Sequence, residues 1–185
     1  LSGSLNFSLS PDEMGPMNHT TRGSVEWRPN DRFSVDLSLS YTDQEALLVH
    51  RGDGKYTSFE AHQWSPQLET NYFINAKQQL RFTMQWTGLK AFEERFWEVN
   101  PAKRDFLVDV PNPDATPDDF VISRMTFQAR YRWEIAPLSD LFIVYTRGSN
   151  LPRNSFLTFQ DLLEQSWNDR IVDSFAIKLR YRLGS

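Results

Sequence analysis

Side-chain character alternates with a period of two along most of this chain, and the run Ser174 to Leu183 does so without interruption. Phe175, Ile177, Leu179, Tyr181 and Leu183 fall on one side, and Ser174, Ala176, Lys178, Arg180 and Arg182 on the other. A strand points successive side chains to opposite faces, so this run is a ribbon with one apolar and one strongly basic face. In a soluble sheet the charged face meets bulk water. In an outer-membrane barrel the apolar face meets lipid and the charged face meets a polar interior.

The same alternation recurs upstream. Leu5, Phe7 and Leu9 are set against serines and Asn6, and Val25 and Trp27 are flanked by Ser24, Glu26 and Arg28. Phe33 to Tyr41, Trp64 to Tyr72, Leu80 to Trp86 and Met125 to Ile135 each keep apolar residues at alternate positions. Leu141 to Tyr145 is apolar on both faces. With the terminal run this predicts about eight antiparallel strands. The connections 29–32, 74–78 and 136–139 have tight-turn compositions, whereas 11–20, 43–56, 93–119 and 148–170 are long. Short and long connections thus alternate, as in an up-and-down transmembrane barrel with short turns on one side and long loops on the other. The whole of 1–185 reads as one barrel region.

Composition fits that reading. Mean hydropathy is −0.54, and no run approaches the roughly 18 apolar residues of a membrane helix. A barrel strand needs apolar residues only at alternate positions, so neither fact weighs against it. Cysteine is absent, which removes disulfides, thiol catalysis and thiolate metal sites. The formal net charge of −4 gives no reason to expect nucleic acid as a partner. The opening Leu1-Ser2-Gly3-Ser4 has no signal-peptide character, so an exported protein would be represented here by a mature form or a fragment.

Aromatic residues collect near the expected strand ends. Trp27, Phe33, Tyr72 and Trp133 lie by the short turns, and Tyr41, Trp86 and Tyr145 toward the long loops. With Tyr181 they are the expected aromatic girdle, because amphipathic rings favour the membrane–water boundary. Arg81, Arg124, Arg130, Arg132, Glu134, Lys178, Arg180 and Arg182 fall on the opposite, interior face, where Asp36 and Glu69 are further acids. Charges there must be paired or wetted. A small closed barrel would hold an ion-pair network, and a larger one a basic wall suited to anionic solutes. In the last long loop, Phe156, Phe159, Leu162, Leu163 and Trp167 follow helical spacing, with Thr158 and Asp161 placed as a cap pair. A short helix is therefore expected near 156–167, covering its own loop in preference to folding over the barrel mouth or lying on the membrane surface.

Residues with catalytic chemistry are present but not arranged in motifs. His19, His50 and His62 lack metal-motif spacing. Asp105, Asp109, Asp114, Asp118 and Asp119 have no calcium-loop spacing, and Pro111, Pro113 and Pro117 argue for an extended loop. Arg51-Gly52-Asp53 reads as a plain turn, and Asn18-His19-Thr20 is a glycosylation sequon without meaning in a bacterial protein. No catalytic residue, metal site or cofactor is expected.

The segment Phe127 to Arg147, FQARYRWEIAPLSDLFIVYTR, resembles the penultimate hairpin of bacterial outer-membrane proteins that carry a family-9-like carbohydrate-binding module before a large C-terminal barrel. In that family an aromatic-x-x-Arg-Tyr-Arg-aromatic-Glu strand runs into a Pro-x-Ser-Asp turn and an apolar strand, followed by a loop and a last strand. The match covers roughly the C-terminal third of the chain and includes no such module. The resemblance implies that the chain is the C-terminal part of a larger barrel. Leu183 is followed by Gly184-Ser185, where barrel-assembly signals usually finish on an aromatic, so either the natural end has been trimmed or Leu183 serves as a weaker terminal residue. No catalytic residue is carried over.

Three functions remain open on sequence grounds. The first is an outer-membrane, porin-like barrel in a Gram-negative envelope, an anchor or a pore, with lipid, envelope or secretion proteins, and a glycan or small anionic solute as partners. The second is a soluble lipocalin-like binding barrel, which reverses inside and outside of the same pattern. The third is an outer-membrane enzyme with a His–acid or Ser–His pair brought together at the loop rim.

Overall fold

A computed structural model describes residues 1–11, 15, 17–100, 102, 107–112, 117–150 and 157–182. They form one antiparallel sheet of nine strands and one helix. The strands are β1 (Ser2–Pro11), β2 (Met17–Asn30), β3 (Phe33–Gly52), β4 (Lys55–Asn75), β5 (Gln78–Val99), β6 (Leu107–Val110), β7 (Phe120–Ala136), β8 (Ser139–Asn150) and β9 (Val172–Arg180), with α1 (Phe159–Asn168) before the last. The order across the sheet is β1-β2-β3-β4-β5-β7-β8-β9, and β6 pairs β5 off that path. Each expected alternating run contributes a strand, the last of them only as far as Arg180, so eight strands make the path. The expected up-and-down connectivity is present. The sheet is open: among the described residues β1 is hydrogen-bonded only to β2, and β9 only to β8.

The expected long loops are shorter than the composition suggests. β3, β4 and β5 have 20, 21 and 22 residues, about twice the 9–11 that cross a bilayer. The stretch 43–56 is therefore the far half of a hairpin and not a loop. Its tip is Gly52-Asp53-Gly54, with φ of 97°, 48° and 73°, and Gly52 faces Lys55 across the turn. Asp-Gly is the pair that tolerates such values in a two-residue hairpin turn, so Arg51-Gly52-Asp53 is a turn, as expected. The alternation is obscured here by bulges at Gln44/Leu47 and Ser58/Phe59. An extra residue in one strand switches which sequence parity faces which side.

The helix starts one residue after Thr158, whose hydroxyl accepts the Asp161 N–H at 3.1 Å. The Asp161 carboxylate in turn accepts the Thr158 N–H at 3.0 Å and its hydroxyl at 2.6 Å. The expected cap pair is thus a capping box that satisfies backbone donors at the helix start. Phe156, included in the expected helix, lies outside the described residues, as do Asp105, Pro113, Asp114, Leu183, Gly184 and Ser185. The last strand ends at Arg180, so Tyr181 and Arg182 follow it without joining the ladder.

Candidate membrane interface

Strand register sorts the side chains into two faces. On one, Val35, Thr70, Phe82, Ala129, Tyr145 and Phe175 stand in a single row across six strands. On the other, the adjacent row is Asp36, Glu69, Thr83, Gln128, Thr146 and Ser174. Large apolar side chains of the first face are open to the surroundings, with Leu37 48% and Phe175 65% exposed. The polar face holds a trough of about 440 Å³ lined by Ser4, Ser24, Ser38, Gln67, Glu69 and Gln85, among others.

The apolar band has a definite height. It occupies 33–41 on β3, 64–72 on β4 and 80–88 on β5, nine residues on each strand in mutual register. That matches the length of strand that spans a bilayer. At the short-turn end Trp27 meets Phe33 edge-on at 5.8 Å, and Phe33 meets Tyr72 at 6.2 Å. Trp133, in the same end of the sheet, is 40% exposed. At the far end Tyr41 packs on Trp64 at 4.8 Å. Tyr145, expected toward the long loops, instead stands in the row of Val35 and Phe82, inside the band and nearer its short-turn end, and touches Phe127 edge-on. Trp86 does not line an open belt. It is 4% exposed, because α1 lies over it.

Beyond the Tyr41–Trp64–Gly88 row the two faces exchange character. On the formerly apolar side the next row is His19, Asp43, His62 and Lys90, ladder neighbours in that order. On the formerly polar side, Phe59, Ala61, Leu89 and Ala91 form a buried cluster, joined by Leu47, Val49 and Phe120. Phe59 is fully buried, with Phe120 edge-on at 5.0 Å and the Arg51 guanidinium over its ring. Arg51 also pairs with Asp118 at 2.5 Å, and Asp119 accepts the Glu93 N–H at 2.9 Å, which ties 117–119 down beside this cluster. These acids hold chain segments together.

The helix closes the upper margin of the apolar face. Leu162 is fully buried against Trp86, Val121 and Met125. Trp86 Nε1–H donates to Ser123 Oγ at 3.1 Å, and Ser123 donates to the Leu162 carbonyl at 3.2 Å. Ser166 then supplies the proton for its 2.5 Å contact with Ser123, so each polar atom of this buried network is satisfied. The indole lies across Gly88, where an added Cβ would be 2.4 Å from the ring. The expectation that the helix covers its own loop is replaced by docking on β5 and β7, since its apolar stripe finds the Trp86–Met125 surface.

The charges expected inside keep to the polar face, whereas Arg147 and Asp173 stand on the apolar side in the row of Leu37, Met84 and Phe127, where the Arg147 guanidinium lies over Trp167. Arg81, Arg124, Arg130, Arg132, Glu134, Lys178 and Arg180 all share it by register. Arg81 pairs with Glu69 at 2.8 Å and Arg132 with Asp140 at 2.9 Å. Arg182 lies past the strand, and its backbone N–H donates to Ser139 Oγ.

A family model described as a domain of unknown function (DUF5916) matches residues 8–184. The chain belongs to that family. No curated protein matches it. Among solved structures, Ail, the attachment invasion locus protein of Yersinia pestis, is 11% identical, over 80% of this chain and 81% of that one, with a TM-score of 0.30. A superposition that loose carries no argument about fold or role.

One arrangement was missed from the sequence. His62 Nδ1 is 3.1 Å from Asp43, and Nε2 is 3.5 Å from Glu60, with the Tyr41 hydroxyl 3.4 Å from Nδ1. This is a His–acid pair, but its second nitrogen faces another carboxylate and no serine, so it lacks a triad nucleophile. His50 stacks on Tyr56, and His19 lies near Phe7. Among the described residues no group of three His, Asp or Glu could hold a metal ion. The exchange of faces was also missed, although its signal is in the sequence. Apolar positions are even from Trp64 to Tyr72 and odd at Phe59 and Ala61. They are even from Leu80 to Trp86 and odd at Leu89 and Ala91.

Proposed function

We propose that this chain is a membrane-embedded part of a bacterial outer-membrane β-barrel, which anchors a cell-envelope protein or forms its pore. The observation that carries the reading is the nine-residue apolar band, which stops where the two faces exchange character. In a uniform aqueous solvent a strand has no reason to reverse its buried face half-way along. A boundary between lipid and water supplies that reason, because apolar residues face outward only where the outside is hydrocarbon. The far halves of β3, β4 and β5 then project into water and bury the opposite face. The open edges of β1 and β9 would be paired in the complete barrel, since lipid does not tolerate an unpaired ladder. On the resemblance of the C-terminal hairpin, a family-9-like carbohydrate-binding module is the companion domain we expect.

A soluble lipocalin-like barrel would enclose the apolar face, whereas α1 covers only its upper margin. The test is solubility and gel migration. A detergent requirement together with heat-modifiable migration on SDS gels is expected, and a monodisperse protein in plain buffer would overturn the reading.

A further inference from the structure

On the polar face, β7, β8 and β9 make a distinctive surface. Arg130 on β7 stands in the row of Val144, and Arg132 in the row of Phe142, with Lys178 on the far side of Phe142. Strands lie about 4.8 Å apart, so cations on β7 and β9 are separated by roughly 10 Å across an apolar floor. Arg132 is held by Asp140, and Arg81 by Glu69. Arg130 and Lys178 form no ion pair among the described residues, and Arg130 reaches only the Gln128 amide. Arg180 stands opposite Asp140, whose carboxylate Arg132 already engages. Arg130 is also directly opposite Arg81, whose charge Glu69 offsets, so Arg130 is the uncompensated member of that cross-strand pair.

We propose that this surface binds organic anions, with the anionic group held by Lys178 and Arg180, two residues apart on one face of β9, and the apolar body lying across Phe142 and Val144 toward Arg130. Two cationic rails with an apolar strip between them fit a ligand that is charged at one end and flat or oily at the other. An inorganic anion would leave the floor unused. The inference rests on the reading of the polar face as the wetted interior of the barrel.

The experiment is equilibrium dialysis of the full chain, folded in a neutral detergent, with 2-naphthalenesulfonate as the probe. Inorganic sulfate and uncharged 2-naphthol serve as comparisons, and heat-modifiable migration is recorded on the same preparations. The sulfonate should be retained in preference to both, more weakly as salt is raised. R130Q/K178Q/R180Q should weaken retention by about tenfold or more, as expected when charge-assisted hydrogen bonds are lost. Phe142→Ser should weaken the sulfonate but not sulfate. Equal retention by wild type and triple variant, or equal retention of sulfate and sulfonate, would overturn the proposal while a heat-shifted band leaves the barrel standing. Loss of the shift in the wild type would overturn both.

Discussion

Strands β3, β4 and β5 each contain two regions built for different surroundings. In the half nearest the short turns, Phe82 sits on the open face and is 36% exposed; in the far half, Phe59 on the other face is fully buried. The same backbone ladder therefore supports two opposite ways of placing an aromatic ring. The first leaves its apolar face to be covered by something outside the chain. The second covers it from within, using Phe120 and the Arg51 guanidinium. Identical secondary structure says nothing about which side is inside; the surrounding solvent decides.

The largest expected difference between the two regions comes from the same truncation made in each. Phe59→Ala should cost about 3–5 kcal/mol, because transfer energy is lost and a cavity is left. Phe82→Ala should cost only the transfer part, about 1.5–3 kcal/mol, since lipid chains fill the space. Urea titration of the vesicle-inserted protein, followed by tryptophan emission, measures both. Equal losses would mean that the two rings share one kind of environment.

A smaller effect separates the two faces of the lower half. Leu37→Arg should destabilise by about 2–4 kcal/mol, as a cation near the bilayer midplane does. Ser38→Arg, one residue along but on the polar face, should stay within about 0.5 kcal/mol. If Ser38 proved the more sensitive position, the assignment of lipid to the apolar face would be reversed.

The smallest effect concerns the helix that separates the regions. Thr158→Ala should weaken α1 by about 0.5–2 kcal/mol, seen as faster amide exchange at Leu162 and Leu163. The Thr158 hydroxyl, then its N–H, hold the Asp161 carboxyl below the usual carboxylate range. A lowered folded value stabilises the helix fully above the ordinary carboxylate range and is lost as pH falls through the lowered value. Protection relative to the intrinsic exchange rate should therefore fall only in that acidic window, and the fall should shrink in Thr158→Ala, which keeps the backbone N–H but loses the hydroxyl.

The sequence was legible where one periodicity ran unbroken. Phe33 to Tyr41, Leu80 to Trp86 and Met125 to Ile135 pair as their alternation requires, and the Thr158–Asp161 cap is in place. It was illegible where parity changed. Reading 43–56 as a loop followed from its polar residues and Asp-Gly, but the bulge at Gln44/Leu47 continues the strand with its faces exchanged. His62 meets Asp43 through strand pairing between positions 19 apart in the chain, which no local motif records. The burial of Trp86 needed the helix to arrive from 159–168, a contact that periodicity within β5 cannot show.

Each strand on the path is hydrogen-bonded to the next one along it, and only the β5–β7 step passes over a short strand. Such a meander can be laid down one hairpin at a time, with most contacts closing short stretches of chain, which favours rapid assembly. At every stage the last strand added leaves one ladder free as the template for its successor. Growth can thus proceed from either margin without undoing a pairing already made, so the order of the strands also serves as an order of construction.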